Sequence, residues 1–196
     1  MKKVNIAYLA GLFDGEGWLA VSVSECPTKL SVDVTIGMAM KAKDCWINKV
    51  NEIMKNDLNI EREVKITNGY GYLHIYSKDN IYKFLNILLP YLTVKKDLSI
   101  FILNRFPRLR KKACHSGHGK FNRYVYWDRV EEFANFITDS QKFLSRKSER
   151  LKWTPQAIRD FYQHLVDDCG YEKISHDINT QTHEWSKTHH TKYIKV

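Results

Sequence analysis

The ten residues Tyr8-Leu9-Ala10-Gly11-Leu12-Phe13-Asp14-Gly15-Glu16-Gly17 constrain this chain more than any other stretch. They join an apolar helix to an acidic, glycine-rich exit. On a helix, Ala7, Gly11 and Gly15 fall at i, i+4 and i+8 and form a flat stripe without bulk, while Leu9, Leu12 and Phe13 point toward another face suited to a core. Small residues let two backbones approach closely, so the stripe predicts a tight helix-to-helix contact. Gly17 reads as a left-handed helix stop, and the alternating Leu19, Val21 and Val23 beyond it announce a strand. Glu16 is thereby carried to the bottom of the helix contact, where an acid has little structural use.

Downstream the pattern changes to period two. Trp18 to Cys26 and Leu30 to Met38 both alternate, with Val32, Val34, Ile36 and Met38 on one face and Ser31, Asp33, Thr35 and Gly37 on the other. Pro27 and Thr28 turn between them and make a hairpin. Apolar residues at three-and-four spacing predict a helix from Asp44 to about Asp57. Two further strands, Glu61 to Thr67 and Tyr70 to Ser77, flank the turn residues Asn68 and Gly69, and helices follow over Asp79 to Leu89 and Lys95 to Phe106.

The Tyr8–Gly17 run resembles the signature of the LAGLIDADG homing endonucleases. Leu9, Ala10, Gly11, Leu12, Asp14 and Gly17 match it letter for letter; Phe13, Gly15 and Glu16 are mild substitutions. The helix, two strands, helix, two strands, two helices order is also similar to the family's core unit. The resemblance covers roughly residues 4 to 107. It implies an α+β fold, a LAGLIDADG core (αββαββα) with an antiparallel DNA-binding sheet, over residues 1–107, followed by a basic, mostly helical extension over 108–196.

Charge supports a polyanionic partner. The chain has 31 Lys or Arg against 22 Asp or Glu, a net charge of +9. Residues 1–100 hold 13 of the cations against 11 acids, so the excess belongs mainly to the second half. There, one run is Arg105, Arg108, Arg110, Lys111, Lys112, Lys120 and Arg123; another is Lys142, Arg146, Lys147, Arg150 and Lys152. A cationic rim positions duplex DNA while sheet side chains read bases. The candidates for that reading face are Ser22, Ser24, Ser31, Asp33, Thr35, Lys65, Thr67, Tyr72, His74 and Tyr76, with Lys41, Lys96, Arg146, Lys147 and Lys152 as further DNA contacts. No apolar run is long enough for a membrane span or resembles a signal peptide, and four scattered cysteines lack the spacing of a disulfide framework, so a soluble, intracellular protein without a membrane partner is expected.

Phosphodiester hydrolysis needs an anionic metal ligand, a divalent cation and a nearby base or cation. Glu16 offers the ligand, with the Gly15 carbonyl as an additional one, and Mg²⁺ is the cation such oxygen donors suit. The stretch Leu89-Pro90-Tyr91-Leu92-Thr93-Val94-Lys95-Lys96 resembles the family's Pro-x-Leu-x-x-Lys segment, whose lysine sits beside the scissile phosphate; that role falls to Lys95, with Lys96 as the fallback. One position departs from the pattern: many relatives carry a polar residue, often glutamine, where Met40 stands here, followed by Lys41. The chain has a single signature, so it must pair with itself through Ala7, Gly11 and Gly15 to complete the active centre. The implied function is a homodimeric, site-specific double-strand DNA endonuclease that promotes intron mobility. The alternatives are an intron-RNA splicing maturase and a catalytically decayed DNA-binding regulator on the same fold.

Overall fold

Helix α1 (Lys2–Glu16) runs without interruption into strand β1 (Gly17–Cys26). In this computed structural model, residues 2–44, 46–106, 113–116, 123–143 and 152–175 are described. Strand β2 (Lys29–Lys41) returns from the turn at Pro27 and Thr28, and α2 (Trp46–Leu58), β3 (Lys65–Thr67), β4 (Tyr70–Ile75), α3 (Lys78–Leu88) and α4 (Lys96–Arg105) follow. The αββαββαα order is the one the periodicities predict, its first seven elements being the αββαββα core.

The four strands form one sheet in the order β1-β2-β4-β3. Strand β4 lies antiparallel to both β2 and β3, with Ile36 opposite Ile75, Met38 opposite Leu73 and Lys41 opposite Tyr70. Alternation settles which face is covered. Val32, Val34, Ile36 and Met38 are buried as expected, together with Leu73 and Ile75 of β4. The tight β3–β4 turn has positive φ at both Asn68 (51°) and Gly69 (76°), the geometry a two-residue hairpin of this kind requires. β3 begins four residues later than predicted, because Asn59 also takes a positive φ (51°) and residues 59–64 leave α2 as irregular chain.

Helix α1 supplies Leu9, Ala10 and Phe13 to the core, all fully buried. Leu12, expected there, is only half-buried. Phe13 meets Phe84 of α3 edge to face at 5.1 Å, and Ile81, Leu85 and Leu88 complete the α3 contribution. Each such buried aromatic or aliphatic side chain contributes about 2 kcal/mol from area removed from water. Gly17 corrects the expectation of a left-handed stop: its φ is not positive. Its missing side chain matters for space, because a Cβ there would lie 2.3 Å from the Phe13 ring and 2.7 Å from the Phe13 carbonyl oxygen.

The described residues divide into two compact units, one of 2–24, 32–106 and 142–143, the other of 25–31, 113–116, 123–141 and 152–175. The second contains helices α5 (Trp127–Gln141) and α6 (Pro155–Asp167). Thr154 caps α6 by accepting the Ala157 N–H at 3.1 Å, with Pro155 at the first helical position. Three short strands accompany them: β5 (Cys114–Ser116), β6 (Arg123–Tyr126) and β7 (Glu172–Ile174), with β5 antiparallel and β7 parallel to β6. Strands of three or four residues are too short to show an alternation in the sequence. Within this unit, buried Tyr162 both accepts the Leu30 N–H (3.1 Å) and donates to the Leu30 carbonyl (3.3 Å), while Cys114 donates to the Thr28 carbonyl at 2.8 Å. Burial pushes the Tyr162 phenol well above its ordinary range. Among the described residues, no helix is long and apolar enough to cross a membrane.

Candidate active site and nucleic-acid interface

The exit of α1 is interlocked with the start of α4. Asp14 accepts the backbone N–H of Thr93 (2.6 Å) and Val94 (3.1 Å) on one carboxylate oxygen and that of Lys95 (2.9 Å) on the other. In return the Lys95 ammonium donates to the Asp14 carbonyl at 2.6 Å and lies 5.3 Å from the centre of the Phe13 ring. An acid thus satisfies the orphan N–H groups at the start of one helix, and a cation satisfies an orphan carbonyl at the end of another. Lys95 is the N-cap of α4, a place where a cation is electrostatically unwelcome; the α1 terminus supplies the compensating partial charge. Burial raises the Asp14 carboxyl, but the three N–H donors and Lys95 outweigh it and hold the group below its ordinary value. Burial in turn pushes the Lys95 ammonium below the usual lysine range, with Asp14 partly opposing.

Asp14 is the residue that sequence reasoning passed over. Its place in the signature was visible, but its partners lie about eighty positions away, at Thr93 to Lys95. Glu16, two residues on, is exposed and makes no hydrogen bond or ion pair among the described residues. Tyr8, Leu12 and Glu16 form one stripe of α1 and line an open cleft of about 460 Å³, together with Ala39, Met40 and Lys41 of β2, Trp46 of α2 and Tyr70 of β4. Lys41, expected near this site, is there, and so is Met40, so the departure from the family pattern faces the same cleft as Glu16. Lys96 is exposed in the first turn of α4.

Beside that stripe, Ala7, Gly11 and Gly15 are exposed, and a Cβ placed on either glycine would meet nothing within 4 Å. Among the described residues nothing covers the flat stripe, which is flanked by Val4, 73% exposed.

The sheet face opposite the helices gathers the predicted readers. Ser22 and Ser24 of β1, Ser31, Asp33, Thr35 and Lys41 of β2, Lys65 and Thr67 of β3, and Tyr72 and His74 of β4 alternate outward, and Tyr76 follows β4 at the same spacing, 62% exposed. Ser24 donates to Asp33, so this pair is engaged with itself. The structure adds Trp18, Ala20, Ala39 and Tyr70 to the face. Their positions at two-residue spacing from Ser22, Thr35 and Tyr72 were a signal available in the sequence. His74 stacks in parallel with Tyr76 at 5.5 Å and with Tyr72 at 6.3 Å, and meets Trp18 edge to face at 5.3 Å. Burial first, then the charge of Lys65, lowers the imidazole below its ordinary value and favours the neutral ring. A recess of about 170 Å³ opens beside His74 and Tyr76, lined also by Arg62, Glu63 and Lys65. In the second unit, Lys152 is exposed but pairs with Glu25. Arg146 and Lys147 lie outside the described residues.

The chain has the fold of the LAGLIDADG homing endonucleases. The homing endonuclease I-CvuI in complex with its target superposes with a TM-score of 0.64 at 15% identity, over 84% of this chain and 96% of that one. The archaeal intron-encoded homing endonuclease I-Vdi141I, complexed with DNA, gives 0.61 at 16% identity over 85% and 99%. The group I intron-encoded homing endonuclease I-CeuI, also complexed with DNA, gives 0.57 at 16% identity over 81% and 76%. No curated protein sequence matches significantly. Residues 3–88 match the sequence profile of the LAGLIDADG-like domain, and over that span the chain carries a LAGLIDADG-like domain.

Proposed function

We propose that this chain is a Mg²⁺-dependent, site-specific double-strand DNA endonuclease that works as a homodimer and promotes the mobility of the intron or intervening element encoding it. The observation that carries this reading is the Asp14–Lys95 interlock, which holds a half-buried ammonium on the Asp14 carbonyl, two positions along the chain from the exposed Glu16 carboxylate, which has no partner among the described residues. The structurally similar homing endonucleases complexed with DNA support the same ligand.

The donor set suits Mg²⁺. Among the described residues no three His, Cys, Asp or Glu side chains converge, and Mg²⁺ asks for no such cage: one or two carboxylates with substrate oxygens and water are its usual shell. Glu16 and the Gly15 carbonyl would hold it, and when bound it would offset charge on the attacking and leaving oxygens. Dimerisation on the open Ala7, Gly11, Gly15 stripe brings two Glu16 carboxylates together and accounts for a stripe that has no partner among the described residues. Lys95, kept from wandering by the Asp14 carbonyl and the Phe13 ring, can exchange a proton with a water near the scissile phosphate more readily than an ordinary lysine, because burial favours its neutral form. The outward sheet face follows the major groove. A strand of about eight residues spans about 26 Å, roughly eight base pairs, so two sheets related by a twofold axis read a partly palindromic site of about 20 base pairs across whose minor groove both strands are cut.

The test is magnesium-dependent linearisation of a plasmid carrying the intronless insertion site. Glu16→Gln lowers cleavage on the order of a thousandfold while DNA binding persists, and Lys95→Met lowers it about a hundredfold. Near-normal nicking by Glu16→Gln would show that the active site lies elsewhere.

A further inference from the structure

The middle of the outer sheet face lacks the side chains that commonly read purines, and Arg62 stands beside its margin with Lys65, next to His74 and Tyr76. Strands β1 to β4 contain no arginine, asparagine or glutamine, the groups that meet guanine or adenine bidentately in the major groove. The lysines of these strands stand at the rim: Lys29 and Lys41 at the two ends of β2, and Lys65 on the edge strand β3. The middle is apolar. Trp18 of β1 lies over Gly37 of β2, where a Cβ would come 2.1 Å from the indole, and so reaches across β2 to His74 of β4. Gly37 faces His74 and Ala39 faces Tyr72, so two residues without bulk floor the patch between the aromatic rows. Ala20 extends it along β1, two residues beyond Trp18.

The rings on β4 are unsuited to stacking with unpaired bases. His74, at the centre of the row, is flanked by near-parallel Tyr76 and Tyr72 at 4° and 16°, whereas single-strand platforms need open ring faces. Edges, methyls and an indole rim suit a groove wall. The one apolar group that any base presents in the major groove is the 5-methyl of thymine. The net charge of +9 suits the duplex that carries it.

Resting on the duplex-binding reading above, we propose that the middle of this sheet recognises thymine through its 5-methyl group, with Trp18, Ala20, Ala39 and the edge of Tyr72 as the specificity-determining contacts. Two residues along a strand advance about 6.6 Å, close to two base pairs, so the contacted thymines recur at about every second pair in each half-site.

The experiment selects binding sites for the full chain from a randomised duplex library, then remeasures affinity for the selected site with deoxyuridine at single thymines. Expected are thymines at alternate positions in each half-site and about fourfold weaker binding for each methyl removed. Trp18→Ala should bring the thymine and deoxyuridine sites to within about twofold while duplex binding survives, and Tyr72→Ser should do the same at a neighbouring position. Equal affinity of the wild-type protein for thymine and deoxyuridine sites, or selection of half-sites without thymine, would overturn the methyl readout and leave duplex binding standing. Failure to bind any duplex, or a preference for RNA, whose uracil has no methyl, would overturn both readings.

Discussion

The α1 exit and the open sheet face are built on opposite plans. At the exit the groups around Asp14 are engaged: Asp14 takes three backbone N–H donors, Lys95 takes the Asp14 carbonyl, and Gly17 is pressed against Phe13, with Glu16 alone left exposed beside them. On the face, the tyrosines at positions 70 and 76 are 43% and 62% exposed, and among the described residues the one side-chain hydrogen bond that ties two of its readers together runs from Ser24 to Asp33. Saturated hydrogen bonds hold a reacting group in one place, and preorganisation of that kind is what a charge near a scissile phosphate requires. A reading face works the other way, keeping donors, acceptors and ring edges for its partner.

That contrast breaks first, and hardest, at Gly17. Gly17→Ala should destabilise the fold by about 2–3 kcal/mol through overpacking against Phe13, whereas Gly11→Ala in the same signature meets nothing and should leave the stability of the single chain essentially unchanged. Equal melting temperatures for the two variants would mean that the exit is not crowded.

Asp14→Asn comes next. It removes the charge and places an amide against N–H donors, at a cost of about 2 kcal/mol. Its effect also depends on pH. The folded-state pKa of Asp14 is depressed, so its stabilisation is fully present above the unfolded carboxylate value near 4 and is lost as pH falls through the lowered folded value. Denaturant titrations of Asp14→Asn should therefore show a shallower acid limb than the parent, and parallel limbs would remove Asp14 from the linkage.

The smallest effect belongs to the face. Thr35→Ala should change stability by no more than about 0.5 kcal/mol, since the side chain reaches outward from a paired strand. A loss several times larger would show that the face is part of the packing and not free for a ligand.

Much of this was legible in the chain. Alternation through Val32, Val34, Ile36 and Met38 assigned both faces of β2, because one buried face makes a one-residue slip expose the entire apolar set. The same rule put Ser22, Thr35 and His74 on one surface. Asn68 and Gly69 announced their turn through their tolerance of positive φ. Where the expectation of a left-handed Gly17 failed, local propensity was the wrong guide: the contact with Phe13 decides the residue, and contacts are set by packing.

By itself, then, the order of residues determined whatever depends on neighbours one to four positions apart: helix faces, strand faces, the tight turn and the small-residue Ala7, Gly11, Gly15 stripe. Only the tertiary structure decided what depends on distant segments meeting. It joined Asp14 to Thr93, Val94 and Lys95, set Met40 and Lys41 in the cleft of Glu16, and laid Trp18 across Gly37 onto His74. The physical reason is the same in each case. Periodicity records which side of an element is buried, but the identity of the partner follows from how helices and strands pack, which no local pattern encodes.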